Sequence, residues 1–393
     1  MKVYLDNSAT TAVDKEVLDA MLPYFCEIYG NPSSLHAFGR NAQKAVDEAR
    51  AKIASILGAK ASEIYFTSGA TESNNWALKG AIRASKNAKK HMITSAIEHP
   101  AIMDTCHELE KEGVEVTYIK VNHEGIVNPE DIRAAIREDT VLISIMTANN
   151  EMGAIQPIAE IGKIARDEGI LFHTDAVQAI ESQPINVDNM NIDMLSLSAH
   201  KFHGPKGIGI LYIRSGVRLD KLIHGGHQER RQRAGTTNTP LIVGMAKALE
   251  ICARDRDRNN RHMSELRDYF IDRVLNEVPY SYLNGGREKR LPNNVNMSFG
   301  FIEGESILMT LDLKGIAVSS GSACSSGSLE PSHVILALGV REELAHSSIR
   351  FSLGRDTTKE EIDYTIETLK ETVDRLRGMS PLFNVEKGTG SYV

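Results

Sequence analysis

The run Ser198-Ala199-His200-Lys201-Phe202-His203-Gly204-Pro205-Lys206-Gly207 directly follows the apolar stretch Met194-Leu195-Ser196-Leu197. A strand that ends in Ser-x-His-Lys and turns through Gly-Pro delivers a hydroxyl, an imidazole and an amine to one strand end. An amine there can form a Schiff base if its ammonium form is disfavoured by partial desolvation or a cationic neighbour, because only the neutral amine attacks a carbonyl. The competing reading of Lys201 is a surface lysine in a strand-to-loop turn.

Two other strand ends weigh against that reading. Ile170-Leu171-Phe172-His173-Thr174 closes on Asp175, with Gln178 three residues later. An aspartate at such a place can hold the positive charge of a ring nitrogen, as a pyridoxal phosphate enzyme requires. Ile64-Tyr65-Phe66 leads into Thr67-Ser68-Gly69-Ala70-Thr71-Glu72-Ser73-Asn74, small residues ahead of a helical pattern at Trp76, Ala77, Leu78, Ala81 and Ile82. Free N–H groups at that helix start would cradle a phosphate, and an ordinary N-cap is the alternative. A strand-end aspartate, a strand-end lysine and a phosphate turn in one chain together favour a cofactor site.

Periodicity extends the pattern. Apolar strand candidates at 64–67, 92–95, 115–119, 141–146, 170–174, 194–198 and 208–213 alternate with helical patterns at 42–57, 71–85, 100–112, 129–137 and 157–168. That alternation predicts an α/β fold with a mainly parallel sheet flanked by helices, its ligand at the strands' carboxyl ends. From about 240 the pattern becomes one long helix, and Arg254-Asp255-Arg256-Asp257-Arg258 reads as its solvated face between domains. Asn294-Val295-Asn296-Met297-Ser298-Phe299 and a final helix from Thr358 to about Arg377 suit a smaller α+β domain. The expected division is a large domain over 15–255 and a small one made of 1–14 and 256–393.

The segments 4–11, 67–75, Glu98-His99-Pro100, 148–153, 174–178 and 198–207 resemble the motifs of the fold-type I, class V aminotransferase-like enzymes. Taken together with 321–331 and 347–354, these segments resemble the cysteine desulfurases of iron–sulfur cluster and nitrogenase assembly, and the match runs in order from residue 4 to about 382. The resemblance implies a fold-type I transferase that uses pyridoxal 5'-phosphate to take sulfur from L-cysteine, leaving L-alanine and a persulfide on Cys324. A selenocysteine lyase or aminotransferase of the same superfamily, which has no need of Cys324, and a non-catalytic sulfur-relay protein are the alternatives.

On that resemblance, Lys201 holds the cofactor and moves the substrate's Cα proton, Asp175 keeps the ring nitrogen protonated, and Gln178 bonds the ring hydroxyl. His99 stacks on the ring and serves as acid or base for the substrate thiol, its other reading being a helix-start histidine before Pro100. Ala70, Thr71, Ser198 and His200 surround the phosphate. Thr236 reaches the phosphate of a second subunit, which implies a homodimer, and Thr237 competes with it for that role. Asn150 lies near the ring hydroxyl and substrate carboxylate, and Arg350 clamps that carboxylate; a structural ion pair is the other reading of an arginine between apolar neighbours.

Composition is that of an ordinary soluble domain protein, with 41% hydrophobic and 25% charged residues. A net charge of −7 argues against a general nucleic-acid footprint, leaving Arg230-Arg231-Gln232-Arg233 as a local basic patch. No run approaches a membrane span, and Met1-Lys2-Val3-Tyr4-Leu5-Asp6 turns acidic before a signal core, so a cytoplasmic protein is expected. Four scattered cysteines suit neither a disulfide framework nor a zinc site, and no resident metal is expected, with Cys324 at most an iron–sulfur ligand in transit. Cys26, Cys106 and Cys252 sit in apolar helical contexts and are expected to be buried. Cys324, amid Ser, Gly and Ala, suits an exposed sulfur carrier. It precedes Arg350 by 26 positions, enough for a long tether. The resemblance of this spacing to the iron–sulfur and nitrogenase-type desulfurases implies handover of sulfur to an iron–sulfur scaffold protein, expected to dock near the C-terminal tail.

Overall fold

The computed structural model describes residues 1–320 and 330–384 together with the backbone of 389–390. Cys324, with the rest of 321–329, lies outside the described residues.

Seven strands form the central sheet, in the order Ile64–Thr67, Gly209–Ile213, Met194–Ser198, Leu171–Asp175, Thr140–Ser144, His91–Ser95, Glu115–Ile119. Each expected strand is present to within two residues at either end. The pairings from Met194–Ser198 outward to Glu115–Ile119 are parallel. Gly209–Ile213 runs antiparallel to both its neighbours. Its insertion brings the ends of Ile64–Thr67 and Met194–Ser198 to the same edge, Thr67 and Ser198 both lying opposite Gly209. A side chain at Gly209 would meet the Leu197 carbonyl at 2.5 Å and Gly69 Cα at 2.7 Å. Glycine is therefore required for the turn after Thr67 to lie back against the sheet.

Helices cover both faces. Ala37–Leu57 buries Val46, Ile53 and Leu57 and stops at Gly58, whose φ of 69° suits the left-handed cap. Ala70–Ala84 buries Trp76, Ala77, Leu78 and Ala81 against Met92, Leu142 and Leu211. The 39-residue helix Thr239–Glu277 gives Ile242, Met245 and Leu249 to the core beneath the large sheet and Leu266, Phe270, Ile271 and Val274 to a second core. Arg254 to Arg258 fall between these two apolar stretches, so the helix joins them through its charged middle.

The second core is built on an antiparallel sheet in the order Ser319–Ser320, Ser348–Ser352, Asn294–Phe299, Ser281–Leu283. The helix Lys359–Met379 packs on it through Ile362, Ile366, Leu369 and Val373. Val3–Tyr4 pairs in parallel with Ile316–Ala317, and a bridge from Asp6 to Ser352 carries the chain's start along the strand that holds Arg350.

The expectation for the cysteines needs one correction. Cys106 and Cys252 are buried, but Cys26 is exposed. Its apolar neighbours Leu22 and Phe25 are themselves exposed, so an apolar helical context there does not signify a core.

Candidate active site

A cavity of about 520 Å³ opens where the strands end. Its lining includes Ala70, Thr71, His99, Asn150, Asp175, Gln178, Ser198, His200, Lys201 and Arg350. Ten of the twelve residues expected at the site thus share one cavity, although they are drawn from positions 70 to 350 of the chain. Thr236 is exposed and does not line it, and Cys324 lies outside the described residues.

The turn after Thr67 provides no side-chain cap for the helix Ala70–Ala84: Gly69 occupies the N-cap position. The ordinary N-cap reading is thereby set aside, and the first turn presents backbone N–H groups and the positive end of the helix dipole to the cavity. Three consecutive side chains anchor this helix start. Glu72 accepts from Ser68 N at 2.8 Å and from Arg233 at 2.7 and 2.9 Å. Burial alone would raise the Glu72 carboxyl, but the bonds from Arg233 and Ser68 hold it below the usual carboxylate range. Ser73 Oγ donates to the Ile210 carbonyl at 2.9 Å, and Asn74 Nδ2 donates to Asp175 Oδ2 at 2.6 Å.

Asp175, the last residue of its strand, also accepts from Val177 N at 3.0 Å through Oδ1. Two donors thus orient a carboxylate that is 7% exposed at the cavity wall. Lys201 lies just past the next strand and donates through Nζ to the carbonyls of Ser8 at 2.6 Å and Ala9 at 2.9 Å. Gln178 Nε2 donates to the same Ser8 carbonyl at 2.9 Å. His200 meets Thr10 Oγ1 through Nδ1 at 3.1 Å, and burial followed by the charges of Lys201 and Lys206 pushes its imidazole down to about 4, so it is neutral at pH 7.

Both readings of His99 are realised. It is the N-cap of the helix Pro100–Lys111, with Nδ1 accepting from Ala101 N at 3.1 Å, and it also lines the cavity. Accepting through Nδ1 places the neutral ring's proton on Nε2. Burial, with Lys201 adding to it, lowers the imidazole below its ordinary value against the opposing pull of Asp175.

Arg350 is 3% exposed. Nη1 donates to the Asn150 carbonyl at 3.0 Å and Nη2 to Asp6 Oδ1 at 2.9 Å, whereas the buried Nε has no hydrogen-bond partner among the described residues. The structural ion pair and the position in the cavity wall therefore coexist. Asn294 and Asn296 donate to the Glu151 carbonyl at 3.0 and 3.1 Å and fix the loop that carries Asn150.

Asn74, Glu98 and Asp6 join the site without having been singled out from the sequence, although each lies inside a segment that was. Glu98 is wholly buried, accepts from Ser95 Oγ at 2.6 Å and Met146 N at 2.9 Å, and is lifted to about 8 chiefly by burial. Its backbone carbonyl meets His333 Nε2 at 3.1 Å.

The Aminotransferase class-V family matches residues 3–365. The chain belongs to that family. It is 55% identical over 380 residues to "Cysteine desulfurase IscS" of Dictyoglomus turgidum, covering 97% of this chain and 96% of the relative. Among solved structures, a "NIFS-LIKE PROTEIN" superposes with a TM-score of 0.90 at 41% identity, covering 96% of this chain and all of that one. "SspA in complex with cysteine" follows the fold with a TM-score of 0.80 at 40% identity, covering 91% of this chain and 100% of that chain. The family member described here is of the cysteine desulfurase type, and its cofactor is pyridoxal 5'-phosphate. The donors present suit that group: an uncapped helix start and a neutral imidazole for a phosphate, a doubly held carboxylate for a ring nitrogen, and an amine for its aldehyde. Among the described residues no helix is long and apolar enough to cross a membrane.

Proposed function

We propose that the chain is a cysteine desulfurase in which Lys201, Asp175, His99 and Arg350 act on L-cysteine and Cys324 receives the sulfur. The observation that carries this reading is their arrangement: the amine, carboxylate, imidazole and guanidinium residues line one cavity beside an uncapped helix start. When bound, pyridoxal phosphate supplies an electron sink for the substrate's Cα and Cβ.

Ala70, Thr71, Ser198 and His200 hold the phosphate, and the neutral His200 gives it a hydrogen bond without adding a charge. Asp175 accepts the ring N–H, and Gln178 faces the ring hydroxyl. Lys201 would hold the cofactor through its amine and, with substrate bound, would take the substrate's Cα proton at Nζ. The Arg350 guanidinium and the Asn150 amide bind the substrate carboxylate, with Asp6 holding the guanidinium in place. His99 moves the proton of the substrate thiol through Nε2. The Cys324 thiolate then attacks the substrate sulfur: the S–S bond forms, the Cβ–S bond breaks, its electron pair stays with the carbon, and a proton delivered to Cβ, with return of the Cα proton from Lys201, gives L-alanine.

Thr236, with Thr237 as its competitor, serves the phosphate of a second subunit in a homodimer; its exposure on its own chain supports this. The two cores support a large domain over 15–255 and a small one over 1–14 and 256–393. The cytoplasm is the compartment we assign, and an iron–sulfur scaffold protein near the C-terminal tail is the sulfur acceptor. The test is sulfur-35-labelled L-cysteine given to the holoenzyme, followed by peptide mapping. Label should appear first on Cys324 with one alanine per sulfur, and Cys324→Ala should bind cofactor and cysteine but form no persulfide. First labelling of Cys26, Cys106 or Cys252 overturns the proposal, as does unimpaired sulfur release by Cys324→Ala.

A further inference from the structure

Asn74 sits one turn into the helix Ala70–Ala84, four residues after Ala70 and three after Thr71, about 6 Å along the axis from the start that cradles the phosphate. It is 1% exposed, and its amide donates to Asp175 Oδ2 at 2.6 Å across a sequence gap of 101 residues. The amide oxygen, equally buried, has no hydrogen-bond partner among the described residues. Turning the amide over would set that oxygen against the carboxylate oxygen, two acceptors face to face, so the observed orientation is the one the chemistry permits. A buried amide that satisfies its carboxylate partner at the expense of its own oxygen is poorly explained by stability alone.

We propose that Asn74 is a positioning residue for the cofactor's ring, fixing the Asp175 carboxylate for the ring nitrogen from the same rigid helix whose first turn holds the phosphate. The inference rests on the reading of Asp175 as the ring-nitrogen partner. The phosphate and the ring nitrogen lie at different places on one rigid molecule, so their protein partners must keep a set separation. One helix supplies both, directly at Ala70 and Thr71 and through Asn74 at Asp175. The neighbouring anchors, Glu72 to Ser68 and Arg233 and Ser73 to Ile210, lock that helix start to the sheet and the 228–235 loop, so Asn74 has a fixed base from which to act.

The experiment is reconstitution of the full-length apoprotein with pyridoxal phosphate, read by equilibrium dialysis and by the position of the bound cofactor's visible band. Asn74→Ala should weaken binding by about tenfold, the loss expected for one charge-assisted hydrogen bond, and shift the band. The apoprotein's own unfolding temperature should change little. Asn74→Asp keeps the shape but sets carboxylate against carboxylate, and should bind still more weakly; it serves also if the alanine variant does not fold. On an Asp175→Asn background, already weakened, Asn74→Ala should add less than about threefold. Wild-type affinity in Asn74→Asp, or an equal loss from Asn74→Ala on both backgrounds, overturns the proposal while leaving Asp175 in its role. Wild-type affinity and band in Asp175→Asn would overturn the reading of Asp175 itself.

Discussion

Replacing Glu98 with glutamine should make the protein's stability less sensitive to alkaline pH. The carboxyl is wholly buried, and burial, with the charge of Asp175 contributing, lifts it from the ordinary 4.5 to about 8 against the bonds from Ser95 and Met146. In the folded protein at pH 7 it is therefore a neutral acid, while in the unfolded chain it is ionised. Between these two values the folded state binds more protons than the unfolded state, so stability falls as pH rises. From pH 5.5 to pH 8 this one group should account for a loss of about 3 kcal/mol. Glu98→Gln keeps an oxygen able to accept from Ser95 Oγ and Met146 N, and it cannot ionise. Urea unfolding of the holoenzyme at a series of pH values, with cofactor saturating, should show the variant's stability relative to wild type rising by about 3 kcal/mol between pH 5.5 and pH 8. Some slope should remain in the variant, because burial also lifts Glu151 to about 7. Parallel curves for the two proteins would refute a neutral Glu98.

Arg350→Lys should raise KM for L-cysteine by about 10- to 100-fold, because an ammonium cannot replace the forked guanidinium that reaches Asp6 and the Asn150 carbonyl while facing the cavity. Steady-state kinetics decide it, and an unchanged KM would mean that the arginine is structural only. Glu229→Ala should destabilise the protein by about 3 kcal/mol or more, because Arg50, bound at 2.7 Å through both terminal nitrogens, would keep only the Ile64 carbonyl, and Phe66 N would lose its acceptor. Urea denaturation measures this, and a change under about 1 kcal/mol would show the ion pair to be dispensable.

The strand ends were legible for a definite physical reason. A strand buried on both faces reads as an apolar run, so the polar residue that closes it stands out: Thr67, Asp175 and Ser198 were found this way. Direction was not legible, since Gly209–Ile213 has the same apolar run as its parallel neighbours but runs antiparallel to them. Nor was burial in the short helix Pro23–Cys26, where apolar residues lie outside the core and leave Cys26 exposed.

The larger gap concerns polar pairing. Residue type and position suggested what Lys201, Asp175 and Arg350 can do, but not which atoms hold them. Asp6 meets Arg350 across 344 residues and Asn74 meets Asp175 across 101, separations at which local periodicity carries no information. The pairings follow once the second sheet lays 348–352 beside the chain's start, and once the helix from Ala70 packs against the strand ending in Asp175. Each pairing then leaves a specific atom unsatisfied, the Arg350 Nε and the Asn74 oxygen. The two leftovers differ in kind. The arginine's is a charged donor, which a carboxylate can complete, whereas the asparagine's is an acceptor left over from orienting Asp175. Substrate binding should therefore relieve the first and leave the second as it is.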